Sequence, residues 1–232
     1  MYTHIKHIFF DLDNTLWDFE NNSKKTIFEL IHEYTLSQKC GCLPDAFYKT
    51  YLHVNEDLWA LYRKNLITKE QLRSSRFTNT MLYFGYDDKK LGIVLEENYI
   101  MRSPQQKGLV EGTIEVLDYL SSKYHLHIIT NGFKEIQHIK IENCNLNHYF
   151  KNIFISEEIG FNKPDSRIFE YALNHVSALK SEAVMIGDDW DADIIGAEQF
   201  GIKAIYFSRK KNGIENKLVS QIENLMQLKE ML

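Results

Sequence analysis

The sequence predicts an α/β fold, with a parallel sheet covered by helices on both faces and interrupted near its start by an all-helical insertion. Three observations carry this. From residue 113 onward, short apolar runs alternate with segments of helical periodicity, the pattern of strands joined by helical crossovers. Residues 20–103 have helical spacing and no convincing strand. Ahead of both lies His7-Ile8-Phe9-Phe10, a short apolar run that passes directly into acids at Asp11 and Asp13.

Each element follows in chain order. The stretch from His7 is the first strand; it ends in Asp11 and Asp13 and belongs to the same sheet as the later ones. In the insertion, Ile27, Leu30, Ile31 and Tyr34 share a helical face, and a second helix runs from about Asp45 to Lys64 with Phe47, Tyr51, Leu58 and Trp59 on its apolar side. Thr68-Lys69-Glu70-Gln71 is a capping box that opens a third helix. A fourth spans about Asp88 to Met101, with Pro104 just beyond its end. Then follow a helix from Thr113 to Lys123, a strand Leu126–Thr130, a helix Lys134–Cys144 and a strand Asn152–Ser156. The helix Asp165–Val176 has acidic character at its start. A strand Ala183–Gly187, a helix from about Asp191 to Phe200 ended by Gly201, and a strand Lys203–Phe207 complete the series.

Composition narrows the function classes. The chain has 232 residues, 44% hydrophobic and 25% charged, enough to bury a substantial core. Its net charge of -5 argues against a nucleic-acid partner, which calls for a basic face. The longest basic run, Arg209-Lys210-Lys211, reads as a solvated turn. No stretch approaches the roughly 18 apolar residues of a membrane helix, and the first apolar run ends in Asp11 rather than in a signal-peptide layout. The expectation is a cytoplasmic protein with no nucleic-acid or membrane partner, and a monomer by default. Cys40, Cys42 and Cys144 are an odd count without a C-x-x-C pair, which suits free thiols. A strand would place His125 and His127 on one face, but the lack of a third nearby ligand weighs against a metal role.

The polar residues concentrate where the strands end. In open parallel sheets, ligands bind beyond the carboxyl ends of the strands. Strand one ends in Asp11 and Asp13, followed by Thr15; period-2 geometry puts the two acids on one side. The next ends in Thr130-Asn131-Gly132, whose backbone amides open a helix and favour an anion. Asn162-Lys163-Pro164 follows the third strand, and the fourth ends in Gly187-Asp188-Asp189, with Asp191 and Asp193 beyond. Taken singly, each has a plain reading as a turn, a helix start or a solvated loop. Together they bring several carboxylates to one crevice, where unit charges 4 Å apart repel by roughly 4 kcal/mol at an effective dielectric near 20. A divalent cation and a lysine offset that repulsion. Lys163 can neutralise phosphate and the attacking carboxylate together, and Asp188 can complete an oxygen-rich site for Mg²⁺.

Asp11-Leu12-Asp13-Asn14-Thr15, the Thr130 step, Lys163-Pro164 and Gly187-Asp188-Asp189-Trp190-Asp191-Ala192-Asp193 resemble, in order, the four motifs of the haloacid dehalogenase superfamily. The resemblance implies a Rossmann-like doubly wound core of residues 1–17 and 105–232, with a helical cap at 18–104. It implies that Asp11 is a nucleophile forming an aspartyl phosphate, and that Asp13 is the acid and then the base. It further implies that Thr130, Asn131 and Lys163 bind phosphate, and that Asp11, the Asp13 carbonyl and Asp188 bind Mg²⁺. Asp193 and Asp189 compete for a supporting role, Asp193 being favoured. Trp17 and Phe19 fall where the family places a mobile turn, although packing explains them as well. Phe154 to Arg167 further resembles the pyrimidine 5′-nucleotidase branch. The implied activity is hydrolysis of a small phosphorylated metabolite, such as a nucleoside 5′-monophosphate. The alternatives are a phosphosugar phosphatase or phosphomutase, a metal-independent 2-haloacid dehalogenase, or an inactive binding protein. Asp13 and Asp188 tell against the dehalogenase, which needs neither a proton donor for an alkoxide nor a metal ligand. Nothing in the insertion fixes the substrate, since Trp59, Tyr62, Phe77, Tyr83 and Phe84 are mostly expected in its own core.

Overall fold

The computed structural model describes residues 2–209 and 219–232. The first strand, β1 (His7–Phe10), leads into a run of five helices: α1 (Phe19–Glu33), α2 (Leu36–Cys40), α3 (Pro44–Arg63), α4 (Lys69–Tyr83) and α5 (Lys89–Arg102). Then come α6 (Thr113–Ser121), β2 (His125–Thr130), α7 (Lys134–Asn143), β3 (Phe150–Ile155), α8 (Ser156–Ile159) and α9 (Ser166–Val176). The chain continues through β4 (Ala183–Gly187), a wide π-helical turn at Trp190–Ile195, α10 (Gly196–Phe200), β5 (Lys203–Phe207), β6 (Ser220–Ile222) and α11 (Leu228–Met231). It forms two compact units, Met1–Phe19 with Lys107–Leu232, and Glu20–Gln106.

The first unit is a six-stranded sheet in the order β3-β2-β1-β4-β5-β6, with every pairing parallel. This is a Rossmann-like α/β core. Alternation along the strands feeds two hydrophobic layers. Ile8, Phe10, Leu126, Ile128, Val184 and Ile186 pack with Val116, Leu117 and Leu120 of α6. Phe9, Ile129 and Met185 pack with Ile168, Phe169 and Leu173 of α9. Each such side chain contributes about 1.5–3 kcal/mol by leaving water.

The second unit is all-helical, built on Ile27, Leu30, Phe47, Tyr51, Phe77, Met81, Leu95 and Tyr99. Its α4 opens on a complete capping box, in which Thr68 Oγ1 accepts from Gln71 N and Gln71 Oε1 accepts from Thr68 N. A buried Arg76–Glu96 ion pair, joined by Asn55, ties α4 to α5 and α3. Among the aromatics expected in its core, Phe77 is fully buried, but Trp59 and Tyr62 are only half-buried and Tyr83 is 74% exposed.

The departures from expectation are local. β3 begins two residues early, at Phe150, and stops at Ile155 because Ser156 already opens α8. The five-residue α2 lies between left-handed Thr35 and Gly41 and is too short to show a period. In the basic run, Arg209 binds Asp18 and Asn14, while Lys210 and Lys211 lie outside the described residues. The described residues contain no helix long and apolar enough to cross a membrane. Cys40, Cys42 and Cys144 are free thiols.

The histidines do not share one environment. His127 is buried while His125 is exposed. His7 Nδ1 lies 3.1 Å from His127 Nε2, and Asn152 Nδ2 lies 3.1 Å from His127 Nδ1. Among the described residues, no histidine belongs to a cluster of three potential metal ligands. Burial, and then the charges of His7, His125 and His175, pull the His127 pKa from 6.5 down to about 3. The unfolded chain therefore binds the proton more readily. The stability from neutral His127 is complete above its unfolded pKa and is lost as pH falls from about 6.5 toward 3. Thermal melts between pH about 7 and 4.5 should accordingly show His127→Leu losing less of its Tm than the parent protein; parallel losses would remove His127 as the cause.

Candidate active site

The site grows from the carboxyl ends of β1, β2 and β4. β1 stops at Phe10, so Asp11 and Asp13 lie in the turn beyond it, where Asn14 is left-handed at φ 63°. Asp11 is still fixed to the sheet through its N–H, which donates to the Ile186 carbonyl at 2.9 Å. The two acids meet different lysines.

Lys163 is 1% exposed, and its Nζ donates to Asp11 Oδ1 at 2.7 Å, Asp193 Oδ1 at 2.6 Å and the Ile129 carbonyl at 2.7 Å. An ammonium has three protons, so this environment matches all of them. The loop carrying Lys163 is clamped by Asn131, whose Oδ1 accepts from Lys163 N at 2.8 Å and whose Nδ2 donates to the Lys163 carbonyl at 2.9 Å. The side chain of Asn131 thus holds Lys163.

Asp193 reaches the site from the π-helical turn. Gly187 makes this approach feasible, because a Cβ there would overlap the Asp193 carboxylate. Asp193 Oδ2 also accepts from Asp189 N at 3.1 Å. Asp189 itself caps the turn, its Oδ1 accepting from Asp191 N at 3.0 Å and Ala192 N at 2.9 Å. Of the two competing acids, Asp193 is the one at the centre. Asp188 receives a 3.1 Å hydrogen bond from buried Thr15 Oγ1.

Oxygens of Asp11, Asp188 and Asp193 lie within 4.8 Å of one another. Burial pushes Asp11 up to about 7; Lys163 opposes the shift, and the charges of Asp193 and Asp13 add to it. Asp188 rises well above the carboxylate range through burial and the charges of Asp11 and Asp193, against the Thr15 hydrogen bond. Asp193 also rises through burial, opposed by Lys163. Burial works against the charge on Lys163, but Asp11 and Asp193 outweigh it and its pKa goes up. Three acids share one ammonium, and fully ionised they carry an excess of negative charge that their raised pKa values resist. An all-oxygen donor set of this kind is what a hard divalent cation such as Mg²⁺ prefers.

Asp13 belongs to a second network. Its Oδ1 accepts from Lys140 Nζ at 2.6 Å and its Oδ2 from Gln137 Nε2 at 2.8 Å. Gln137 Nε2 also lies 3.1 Å from Thr130 Oγ1, which accepts the Gly132 N–H at 3.1 Å as well. Two of the turn amides are therefore engaged internally, since Lys134 N donates to Glu157 Oε2 at 2.9 Å. Trp17 is fully buried in the core and carries Lys140 Nζ 4.2 Å from its ring centroid; Phe19 packs beside it. Gln137 and Lys140 were not foreseen. The available signal was two polar residues at i and i+3 on the face of α7 that the pattern assigns to the core.

Comparison with known proteins bears on the family and the fold. The haloacid dehalogenase-like hydrolase family matches residues 5–201. The pyrimidine 5′-nucleotidase PynA of Streptococcus pneumoniae is 31% identical over 88% of this chain and 84% of its own. The pyrimidine 5′-nucleotidase YjjG of Escherichia coli is 29% identical over 87% and 85%. A crystal structure of the HAD-hydrolase YfnB from Bacillus subtilis, bound to magnesium, shares the fold with a TM-score of 0.86 at 24% identity, covering 99% of each chain. With the sequence motifs, the sheet order and these matches in agreement, the chain belongs to the haloacid dehalogenase-like hydrolases.

Proposed function

We propose that the chain is a Mg²⁺-dependent phosphomonoester hydrolase that works through an aspartyl phosphate on Asp11. The observation that carries this reading is the division of the acids into two networks. Asp11 is buried beside Lys163 in a cluster with excess negative charge, while Asp13 stands apart with its own cation. That division separates a nucleophile from an acid–base group.

Asp11 and Asp188, with the Asp13 backbone carbonyl, would hold Mg²⁺, and Asp193 would support them through Lys163. When bound, the cation offsets the charge of the acids and of the phosphate. In the first half-reaction, a carboxylate oxygen of Asp11 bonds to phosphorus, the ester P–O bond breaks, and Asp13 gives its proton to the leaving oxygen. In the second, Asp13 takes a proton from water, the water oxygen bonds to phosphorus, the acyl phosphate bond breaks and phosphate departs. Lys163 aims Asp11 rather than reaching outward, because its three protons are already placed. Thr130 Oγ1 accepts from two donors, so its own proton is available to a phosphate oxygen.

A nucleoside 5′-monophosphate is the favoured substrate class. The names of PynA and YjjG support it, and a base, unlike a hexose, offers a ring on which an aromatic side chain can stack. Stacking of this kind is worth roughly 1–3 kcal/mol per base. Related chains at 26% and 29% identity are a glyceraldehyde 3-phosphate phosphatase of Methanothermobacter thermautotrophicus and a human N-acylneuraminate-9-phosphatase, which keeps the phosphatase class broad.

Three outcomes follow. Asp11→Asn should abolish phosphate release while retaining native circular dichroism, and turnover like the parent's in that folded variant would dismiss the covalent route. Saturating Mg²⁺, at about a hundred times its Kd, should raise the Tm by roughly 5–10 °C. Chelator should abolish activity, and Asp188→Asn should lose the thermal shift. Full turnover in a verified metal-free sample would bring back dehalogenase-type chemistry. In a screen under one set of conditions, pyrimidine monophosphates should lead hexose phosphates in kcat/KM by about tenfold, the factor that 1.4 kcal/mol of stacking supplies. A tenfold lead for hexose phosphates would reassign the substrate and leave the phosphatase class standing.

A further inference from the structure

We infer that Lys140 and Gln137 are positioning residues that hold the Asp13 carboxylate in its working orientation, with Trp17 as the floor beneath Lys140. The inference rests on Asp13 being the acid–base group of the proposed reaction. Asp13 lies in a turn rather than a strand, and its side chain is 28% exposed, so the local backbone alone does not select one carboxylate orientation. Two buried donors do. Lys140 is 4% exposed and Gln137 is fully buried, and each engages a different oxygen of Asp13, at 2.6 and 2.8 Å. A planar group held at both oxygens loses its freedom to rotate.

The orientation of both donors is itself determined. In its ionised form, the one that takes the proton from water, the Asp13 carboxylate only accepts hydrogen bonds, so Gln137 turns its Nε2 toward it. The same Nε2 lies 3.1 Å from Thr130 Oγ1, which couples the acid–base group to the phosphate-binding hydroxyl. Gly132 leaves the space this amide occupies, since a Cβ there would overlap Gln137. Lys140 is held from the other side by the face of Trp17, 4.2 Å from the ring centroid, an attraction that strengthens when the ammonium is desolvated. Trp17 is locked by its N–H to the Leu12 carbonyl at 2.8 Å and by its carbonyl, which accepts from Asn14 N at 2.8 Å. Each carboxylate oxygen retains a lone pair beyond the one these donors use, and that position can carry the proton passed to the leaving group and then taken from water.

A misplacement near 1 Å in such a group can cost about 10²-fold in rate. The test separates positioning from general damage by the leaving group. In Lys140→Met with Mg²⁺ present, kcat for an alkyl phosphate should fall about 10²-fold with KM nearly unchanged. The pre-steady-state burst of nitrophenolate from p-nitrophenyl phosphate, which leaves without a proton, should stay within about threefold of the parent. Lys140→Arg, which keeps the charge and the donors, should recover most of the alkyl rate. Gln137→Met should show the same pattern more weakly, and it serves if Lys140→Met does not fold. A burst that falls as far as the alkyl rate, or an alkyl rate that does not fall, overturns the inference. Asp13→Asn run in parallel keeps the two readings apart. Retained alkyl turnover in Asp13→Asn would sink the acid–base assignment. Lost turnover there with unaffected Lys140→Met and Gln137→Met would sink the positioning role alone.

Discussion

The buried ammonium of Lys163 is the constraint around which the core is arranged. It sits at the meeting point of three strand ends, taking a carboxylate from the turn after β1, a carbonyl from β2 and a carboxylate from beyond β4. A buried charge is tolerated only when paired and hydrogen-bonded, so removing any of these partners leaves a desolvated cation or anion behind. That explains why so much local structure serves it. Asn131 clamps its backbone, Gly187 makes room for Asp193, and the π-helical turn brings Asp193 back over the sheet.

The turn after β1 then divides the negative charge. Asp11 faces Lys163, and Asp13, two residues on, faces Lys140. The Asp13–Lys140 pair balances itself, so the excess charge is confined to Asp11, Asp188 and Asp193. A local excess among oxygen ligands is the arrangement that a hard divalent cation stabilises. The raised pKa values of the three acids express the same cost from the protein's side.

Much of this was legible in the sequence because it lies in short range. The strand from Ala183 to Gly187 and the strand from Lys203 to Phe207 are where their apolar runs place them, and the Thr68 capping box opens its helix as its spacing requires. Asp11, Lys163, Asp188 and Asp193 could be assembled because the carboxyl ends of parallel strands share one edge. The parts that escaped depend on contacts between distant segments. Gln137 and Lys140 gain their meaning only from the turn at Asp13, 124 and 127 residues away, which they bind. Asp11 and Asp13 lie past the end of β1 at Phe10, in the turn that contains left-handed Asn14, so strand periodicity alone does not describe them. The exposure of Tyr83 is likewise a tertiary fact that residue type does not determine.

The position of β1 has a consequence for how the protein comes into being. It is made first, yet its neighbours on both sides, β2 and β4, are made late. Lys6, just before β1, pairs with Glu182, 176 residues further along the chain. Contacts at such separation cost loop-closure entropy before they return any stability, and they slow folding. The helical unit closes over shorter separations, so it can gain its contacts while His7-Ile8-Phe9-Phe10 still waits for partners. An unsatisfied apolar strand in a nascent chain is an invitation to aggregate. The strand that leads into Asp11 is thus satisfied only once β2 and β4 are both in place, and the site at its end takes shape no earlier.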